Sequence, residues 1–264
     1  MTHIVAIAGA KGGSGKTTVS INLACAINSF HRDVLVVDCN LHKPNVGIYL
    51  GFTHTPKSIH SALMGEHKIT EAMYKHPSGV VLIPGNMSMD ELEHLHHTEK
   101  NIQNVLNDLV DTCQIVLVDT PSGIGGEAKS IISACHKVIL VTTPDMVSIT
   151  DTLKTAKLAQ ELGKPVIGVI VNMQKKTEHE VPLSHIEGTL QAPIIGSIPY
   201  DDHIHAANAN RHPVIFSNHE CPATIEYKHA AANLIGIQYE YKSSEKDSLI
   251  TYLLKRFGIK KPNK

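Results

Sequence analysis

The sequence predicts an α/β fold, a doubly wound, mostly parallel β-sheet with helices on both faces. Three observations carry this. Short apolar, β-branched runs alternate with stretches of helical periodicity along most of the 264 residues. Tryptophan is absent and aromatic content is only 4%, which suits a Val/Ile-rich sheet buried on both faces. A glycine-rich turn, Gly9-Ala-Lys-Gly-Gly-Ser-Gly-Lys-Thr-Thr18, joins the first apolar run to the first helical stretch. The length is enough for one large domain with a sizeable core.

The elements follow in order. Apolar runs place strands at His3–Ala8, Asp33–Asp38, Gly79–Pro84, Gln114–Asp119, Lys137–Thr142, Pro165–Asn172 and Pro193–Ile198. Helical spacing places helices at Thr17–Phe30, Met89–Val110, Glu127–Ala134, Val147–Leu162, Leu183–Leu190 and Pro222–Ile235. Strand–helix–strand alternation implies right-handed crossovers, so functional residues should gather at the carboxyl ends of the strands. Gln238–Asp247 is polar and lacks periodicity. The expected layout is therefore a domain over residues 1–236, a linker over 237–247 and a tail over 248–264.

Bulk composition narrows the class. Hydrophobic residues make up 42% and the net charge is −1, as in a soluble globular chain. The five cysteines (Cys25, Cys39, Cys113, Cys135, Cys221) are scattered and none has CxxC spacing, so buried thiols in a reducing compartment are expected. The chain enters its first strand at once, and no signal peptide is expected. No apolar run approaches the 18 residues of a membrane span. Histidine is abundant at 18, with clusters at His94, His96 and His97 and at His203 and His205. No histidine pair carries an evident carboxylate or thiolate partner set, so solvated faces are expected there.

The glycine-rich turn has a chemical meaning. Gly12, Gly13 and Gly15, with Ser14, aim backbone N–H groups at one spot, where the positive end of the following helix dipole also lies. Lys16 adds a point charge for β- and γ-phosphates, and the Thr17 hydroxyl can ligate Mg²⁺. The strict phosphate-loop pattern wants glycine at position 10, where this chain has alanine. What matches is KGGxGKT, with a second lysine, Lys11, at the start of the loop and Thr18 at its end. Two further strands end in an acid after four apolar residues, at Asp38 and Asp119. Such an acid suits the coordination sphere of Mg²⁺ beside a phosphate loop.

Together, KGGSGKTT, VVDCNLHKPNVGIYLG, VLVDTPSGIG and VTTPDMVSITD resemble the deviant Walker A ATPases of the MinD/ParA class. The MinD-like (septum-site-determining) members are the nearest match, over Thr2 to Gly236. The resemblance implies a SIMIBI-type P-loop NTPase fold and two subunits that sandwich two ATP molecules. It implies that Lys11 reaches the partner's nucleotide, while Lys16 and Thr17 serve their own subunit's phosphates and Mg²⁺. Asp119 would hold the Mg²⁺ shell, with Asp38 beside it opening switch I and Gly123 lying in switch II. Asn172, Pro199 and Asp201 fall where the family holds adenine. One position departs from the pattern. Family members usually carry an acid two residues after the switch I aspartate, and here that residue is Asn40. An amide can orient a water but cannot take its proton, and losing such a carboxylate costs ~10²–10⁴ in rate. Slow intrinsic hydrolysis is expected, or an ATP-locked scaffold that hardly turns over.

The tail is the second distinctive feature. Leu249, Ile250, Leu253, Leu254 and Phe257 recur at helical spacing, with Lys255 and Arg256 among them. From Leu249 to Lys264 there are five basic residues and no acid, which leaves 19 basic against 25 acidic residues elsewhere, a body at −6. An amphipathic basic helix of this kind suits an anionic membrane interface. The resemblance adds that MinD-like proteins end in such a helix. The expected protein is thus cytoplasmic and peripheral on the inner face of the cell membrane. It dimerises on ATP, has a protein activator or client, and organises division-site or cell-surface machinery. The competing reading, a DNA- or plasmid-partitioning ATPase of the ParA type, needs a basic dimer surface, and the −6 body makes nucleic acid a poor partner. A metal-cluster carrier on the same fold would need closely spaced cysteines. A tyrosine kinase of bacterial type would need a tyrosine-rich tail.

Overall fold

A computed structural model describes residues 2–86 and 101–241. Among the described residues, eight strands form one sheet: β1 (His3–Ala8), β2 (Val34–Asp38), β3 (Tyr74–Lys75), β4 (Val81–Ile83), β5 (Ile115–Asp119), β6 (Lys137–Thr142), β7 (Val166–Gln174) and β8 (Ile194–Pro199). Their order is β3-β4-β2-β5-β1-β6-β7-β8, and every pairing is parallel except β3 with β4. The central strands are buried along nearly their whole length, as their unbroken Val/Ile/Leu runs require of a sheet covered on both faces. Two apolar cores lie on the two faces. One packs Leu35, Val37, Val116, Val118 and Leu140 under the helices Gly126–Ala134 and Met146–Glu161. The other packs Val36, Leu117, Ile139 and Ile170 under the helices Lys16–Ser29 and Pro222–Ile235.

The doubly wound parallel sheet is the predicted one. The strands His3–Ala8 and Lys137–Thr142 and the helices Leu183–Leu190 and Pro222–Ile235 fall on their expected bounds. Others shift by a residue or two. The fourth strand is only Val81–Ile83, because Gly79 adopts φ +88 in the turn before it. The helix expected over Met89–Val110 lies partly outside the described residues, and its described part is Ile102–Asn107. The edge strand β3 is two residues long, too short to show a period. Several short elements between β2 and β3 and after β8 were not foreseen: Val46–Tyr49, Ile59–Leu63, the 3₁₀ turn Ile69–Ala72, Asp202–Ala209 and Val214–Ser217.

Residues 237–241 have no regular structure, yet Tyr239 packs edge-on against Phe30, 5.4 Å between centroids, and against His229 at 5.0 Å. The start of the expected linker is therefore docked on the domain. The tail residues Leu249, Ile250, Leu253, Leu254, Lys255, Arg256 and Phe257 lie outside the described residues, as do His94, His96 and His97. No described helix is long and apolar enough to cross a membrane.

Candidate functional site

The carboxyl ends of β1, β2 and β5 meet at one end of the sheet. In the ladder, Asp38 pairs with Asp119 and Ile7 with Asp119, so both acids stand beside the loop that leaves β1. That loop turns on Gly13 (φ +80) and Gly15 (φ +87), conformations that side chains rarely adopt. A Cβ on Gly15 would sit 2.2 Å from the Asn172 amide. The helix Lys16–Ser29 starts with no capping side chain and no acid in its first turn. Its leading N–H groups are therefore left for an anion.

The side chains converge on the same place. Lys16 is mostly buried, and its Nζ donates to Ser122 Oγ at 2.7 Å and to the Lys11 carbonyl at 3.3 Å. Burial pulls its ammonium below the ordinary lysine value, opposed by the nearby Asp119. Thr17 Oγ1 donates to Asp119 Oδ2 at 2.6 Å, and Ser20 Oγ to Asp119 Oδ1 at 3.2 Å. Asp38 accepts from the backbone N–H groups of Asn40, Asn45 and Val46, which makes it the staple of the loop after β2. Burial pushes both carboxyls above the ordinary range, and the neighbouring Asp119 adds to the rise at Asp38.

Lys11 leaves the loop sideways, and its Nζ pairs with Asp145 Oδ2 at 3.1 Å. Asp145 in turn caps the helix Met146–Glu161 by accepting from Ser148 N at 2.9 Å. Burial alone would raise this carboxyl, but bonds from Thr143, Ser148 and Lys11 outweigh it and hold the group below its ordinary value.

A cleft of about 320 Å³ opens over the loop, the size of a small-molecule site. Gly13, Gly15, Lys16, Thr17, Thr18 and Asn40 line it, as do Asn172, Pro199 and Asp201. Asn172 also donates its amide to the Ser14 carbonyl at 2.9 Å, so it braces the loop from below. Gly12, Ser14, Lys11, Asp38, Asp119 and Gly123 stand outside this lining. Gly123 (φ +97) lies in the loop after β5. Tyr200, in the loop expected to face adenine, lines the cleft too, while Ser122, Asp145, His205 and Glu127 carried no expected role. Glu127 ties the two loops together: Oε1 accepts from Leu41 N and Oε2 meets His42 Nδ1, each at 2.9 Å. Ser122 and Glu127 meet Lys16 and Leu41 from 106 and 86 residues away, so no local pattern marks those contacts.

The arrangement fits a magnesium nucleotide. Two buried carboxylates and the Thr17 hydroxyl form an all-oxygen set for a hard dication, and burial raises both carboxyls even with the Lys16 ammonium lowering Asp119. The buried Ser14 Oγ finds no hydrogen-bond partner among the described residues, a donor left over in the cradle.

The family model ParA, described as NUBPL iron-transfer P-loop NTPase, matches residues 1–235. An uncharacterized ATP-binding protein of Methanocaldococcus jannaschii is 34% identical over 97% of this chain and 96% of its own length. The cell division ATPase MinD of Pyrococcus furiosus superposes with a TM-score of 0.85 at 26% identity, over 89% of this chain and 99% of that one. The septum site-determining protein MinD of Pyrococcus horikoshii, solved with Mg-ADP, gives 0.84 at 27% identity, over 89% and 96%.

Proposed function

This chain belongs to the ParA family of P-loop NTPases, and from that membership we propose a MinD-like spatial organiser switched by ATP and Mg²⁺. It would dimerise around ATP, hydrolyse it slowly, and attach to an anionic membrane through its basic tail. The observation that carries the reading is the pair of lysines in one loop, held in different ways. Lys16 is buried against Ser122, while Lys11 is half-exposed and pairs outward with Asp145. One lysine is placed for the subunit's own phosphates, and the other can swing to a second copy.

The division of labour follows from the contacts. Backbone N–H groups of Gly12 to Thr18 would hold the phosphates, with Lys16 neutralising the β- and γ-oxygens. Ser122 and Gly123 lie in the loop after β5, and Ser122 already touches Lys16 Nζ. A γ-phosphate taking that lysine would be felt directly by this loop. Thr17, Asp38 and Asp119 would hold Mg²⁺, which would supply positive charge against the phosphates. Asn40 lines the cleft and would orient the attacking water. Asn172, Pro199 and Asp201 also line the cleft and would border the base.

Of the alternatives, the ATP-locked scaffold is favoured by one residue alone, Asn40. Although the family description names iron transfer, a cluster carrier needs accessible thiolates close together. Here Cys25, Cys39, Cys135 and Cys221 are buried and only Cys113 is partly exposed. The acidic body disfavours a DNA partner.

The test is the sedimentation coefficient of the full chain with ATP–Mg²⁺, ADP–Mg²⁺ and no nucleotide. A dimer with ATP alone supports the proposal. A monomer at saturating ATP–Mg²⁺ overturns it.

A further inference from the structure

The fold gathers a ligand set that the sequence leaves scattered. Asp201 ends the loop after β8, His203 lies in the first turn of the helix Asp202–Ala209, and Cys221 precedes the helix Pro222–Ile235. A carboxylate oxygen, an imidazole nitrogen and Cys221 Sγ all lie within 4.8 Å of one another. We propose that Asp201, His203 and Cys221 bind a borderline-soft divalent cation of the zinc class, a site separate from the nucleotide's Mg²⁺.

The donor chemistry selects the ion. One oxygen, one nitrogen and one sulfur make a three-protein-ligand set for Zn²⁺ or Co²⁺, with a fourth position left for water. Magnesium would refuse the thiolate. The carboxylate and thiolate together carry two negative charges, which match the dication. Two helix N-termini face this point, but each contributes only about half a positive charge.

The orientation is already set. Asp201 Oδ2 accepts from Ala223 N at 3.1 Å, which fixes the carboxylate plane, while Oδ1 takes His203 N at 2.9 Å and His203 Nδ1 at 2.7 Å. Capping two helices explains the aspartate, but it needs neither an imidazole nor a thiol alongside. Cys221 is buried and Asp201 nearly so, whereas His203 is more than half exposed. Entry is therefore from the His203 side. On binding, the Cys221 S–H bond breaks, sulfur bonds to the metal, and the proton leaves to solvent. His203 gives a ring lone pair in place of its bond to Asp201. Asp201 also borders the nucleotide cleft, so a metal here would stiffen one wall of it. The site does not depend on the ATPase reading.

The test titrates Co²⁺ and then Zn²⁺ into the reduced, nucleotide-free full chain, with Mg²⁺ in excess. The expected result is one equivalent of cobalt with a sulfur-to-cobalt charge-transfer absorption, displaced by zinc. Cys221→Ser removes the absorption. His203→Ala weakens zinc, measured against a chromogenic chelator, by ~10²-fold. His179→Ala, at an exposed histidine outside the set, changes neither. Because His203 is exposed, its variant keeps the test decisive even if the cysteine variant fails to fold. No charge-transfer absorption, or zinc held as tightly by His203→Ala as by the parent, overturns the site.

Discussion

Lys11 Nζ lies 3.1 Å from Asp145 Oδ2, across 134 residues of chain. The contact holds the loop's first lysine against the helix Met146–Glu161 of its own subunit, beside the exposed Met146 and Val147. A lysine that serves a partner's nucleotide must first leave this carboxylate. Asp145→Asn keeps an acceptor for Ser148 N and removes the charge that holds Lys11. The ion pair is over a third exposed on both sides, so its loss costs under about 1 kcal/mol of stability. The expected outcome is ATP-dependent dimerisation at lower protein concentration, read by sedimentation. Asp145→Ala also loses the helix cap, at about 1 kcal/mol, and should lower the melting temperature as well. Dimerisation unchanged in Asp145→Asn would mean that the contact is passive.

How much of this could be read in the sequence follows from range. The phosphate loop, Asp38 and Asp119 are legible because each lies within one strand–turn unit, where periodicity and glycine spacing are local signals. The contacts that complete the cleft are not. Ser122 meets Lys16 across 106 residues, and Asn172 reaches Ser14 across 158. Only the strand order β5-β1-β6-β7 brings them together. The short helices around Val46 and Ile59 escaped for another reason. Each is about one turn long and is held by neighbours such as Asp38 and Pro84, not by its own period.

Binding of Mg²⁺ should release protons near neutral pH. Asp38 and Asp119 are buried together, and burial raises both above the ordinary carboxylate value of 3.8. A raised group holds a proton at pH values where a free carboxylate has lost it, and a metal ligand must be deprotonated. The sign is therefore that Mg²⁺ binds more tightly as pH rises. Calorimetry in buffers of different ionisation enthalpy reads the protons released. Asp38→Asn should remove part of that release. Binding enthalpies equal in all buffers would contradict the raised carboxyls.

The tail predicts nucleotide-dependent membrane attachment. A basic residue near an anionic surface is worth about 1 kcal/mol, and a short segment must also become helical to bury Leu253, Leu254 and Phe257. One tail would bind weakly, and two tails on one dimer would gain avidity of ~10²–10⁴. Sedimentation with phosphatidylglycerol-containing vesicles should pellet the protein with ATP–Mg²⁺ far more than with ADP or without nucleotide. Leu253→Glu should abolish pelleting and leave dimerisation intact. Equal pelleting in all three nucleotide states would sink the coupling.

The proposed slow hydrolysis rests on Asn40. Its loop is already fixed: Asn40 N donates to Asp38 Oδ1, Leu41 N to Glu127 Oε1 at 2.9 Å, and His60 Nε2 meets the Leu41 carbonyl at 2.8 Å. His60 is buried, and burial lowers its pKa despite that bond, so the imidazole stays neutral at pH 7 and donates through Nε2. With the backbone held, Asn40→Asp changes little except the acceptor strength and charge at the tip of the side chain. The new carboxylate stands near Asp38, so it raises the charge of an already acidic site and should make hydrolysis more dependent on Mg²⁺. A positioned base contributes ~10²–10⁴, so single-turnover hydrolysis should quicken by about 10²-fold. ATP-bound dimers should be correspondingly shorter-lived. If Asn40→Asp hydrolyses no faster than the parent, the slow step lies elsewhere, and the amide is not what limits turnover.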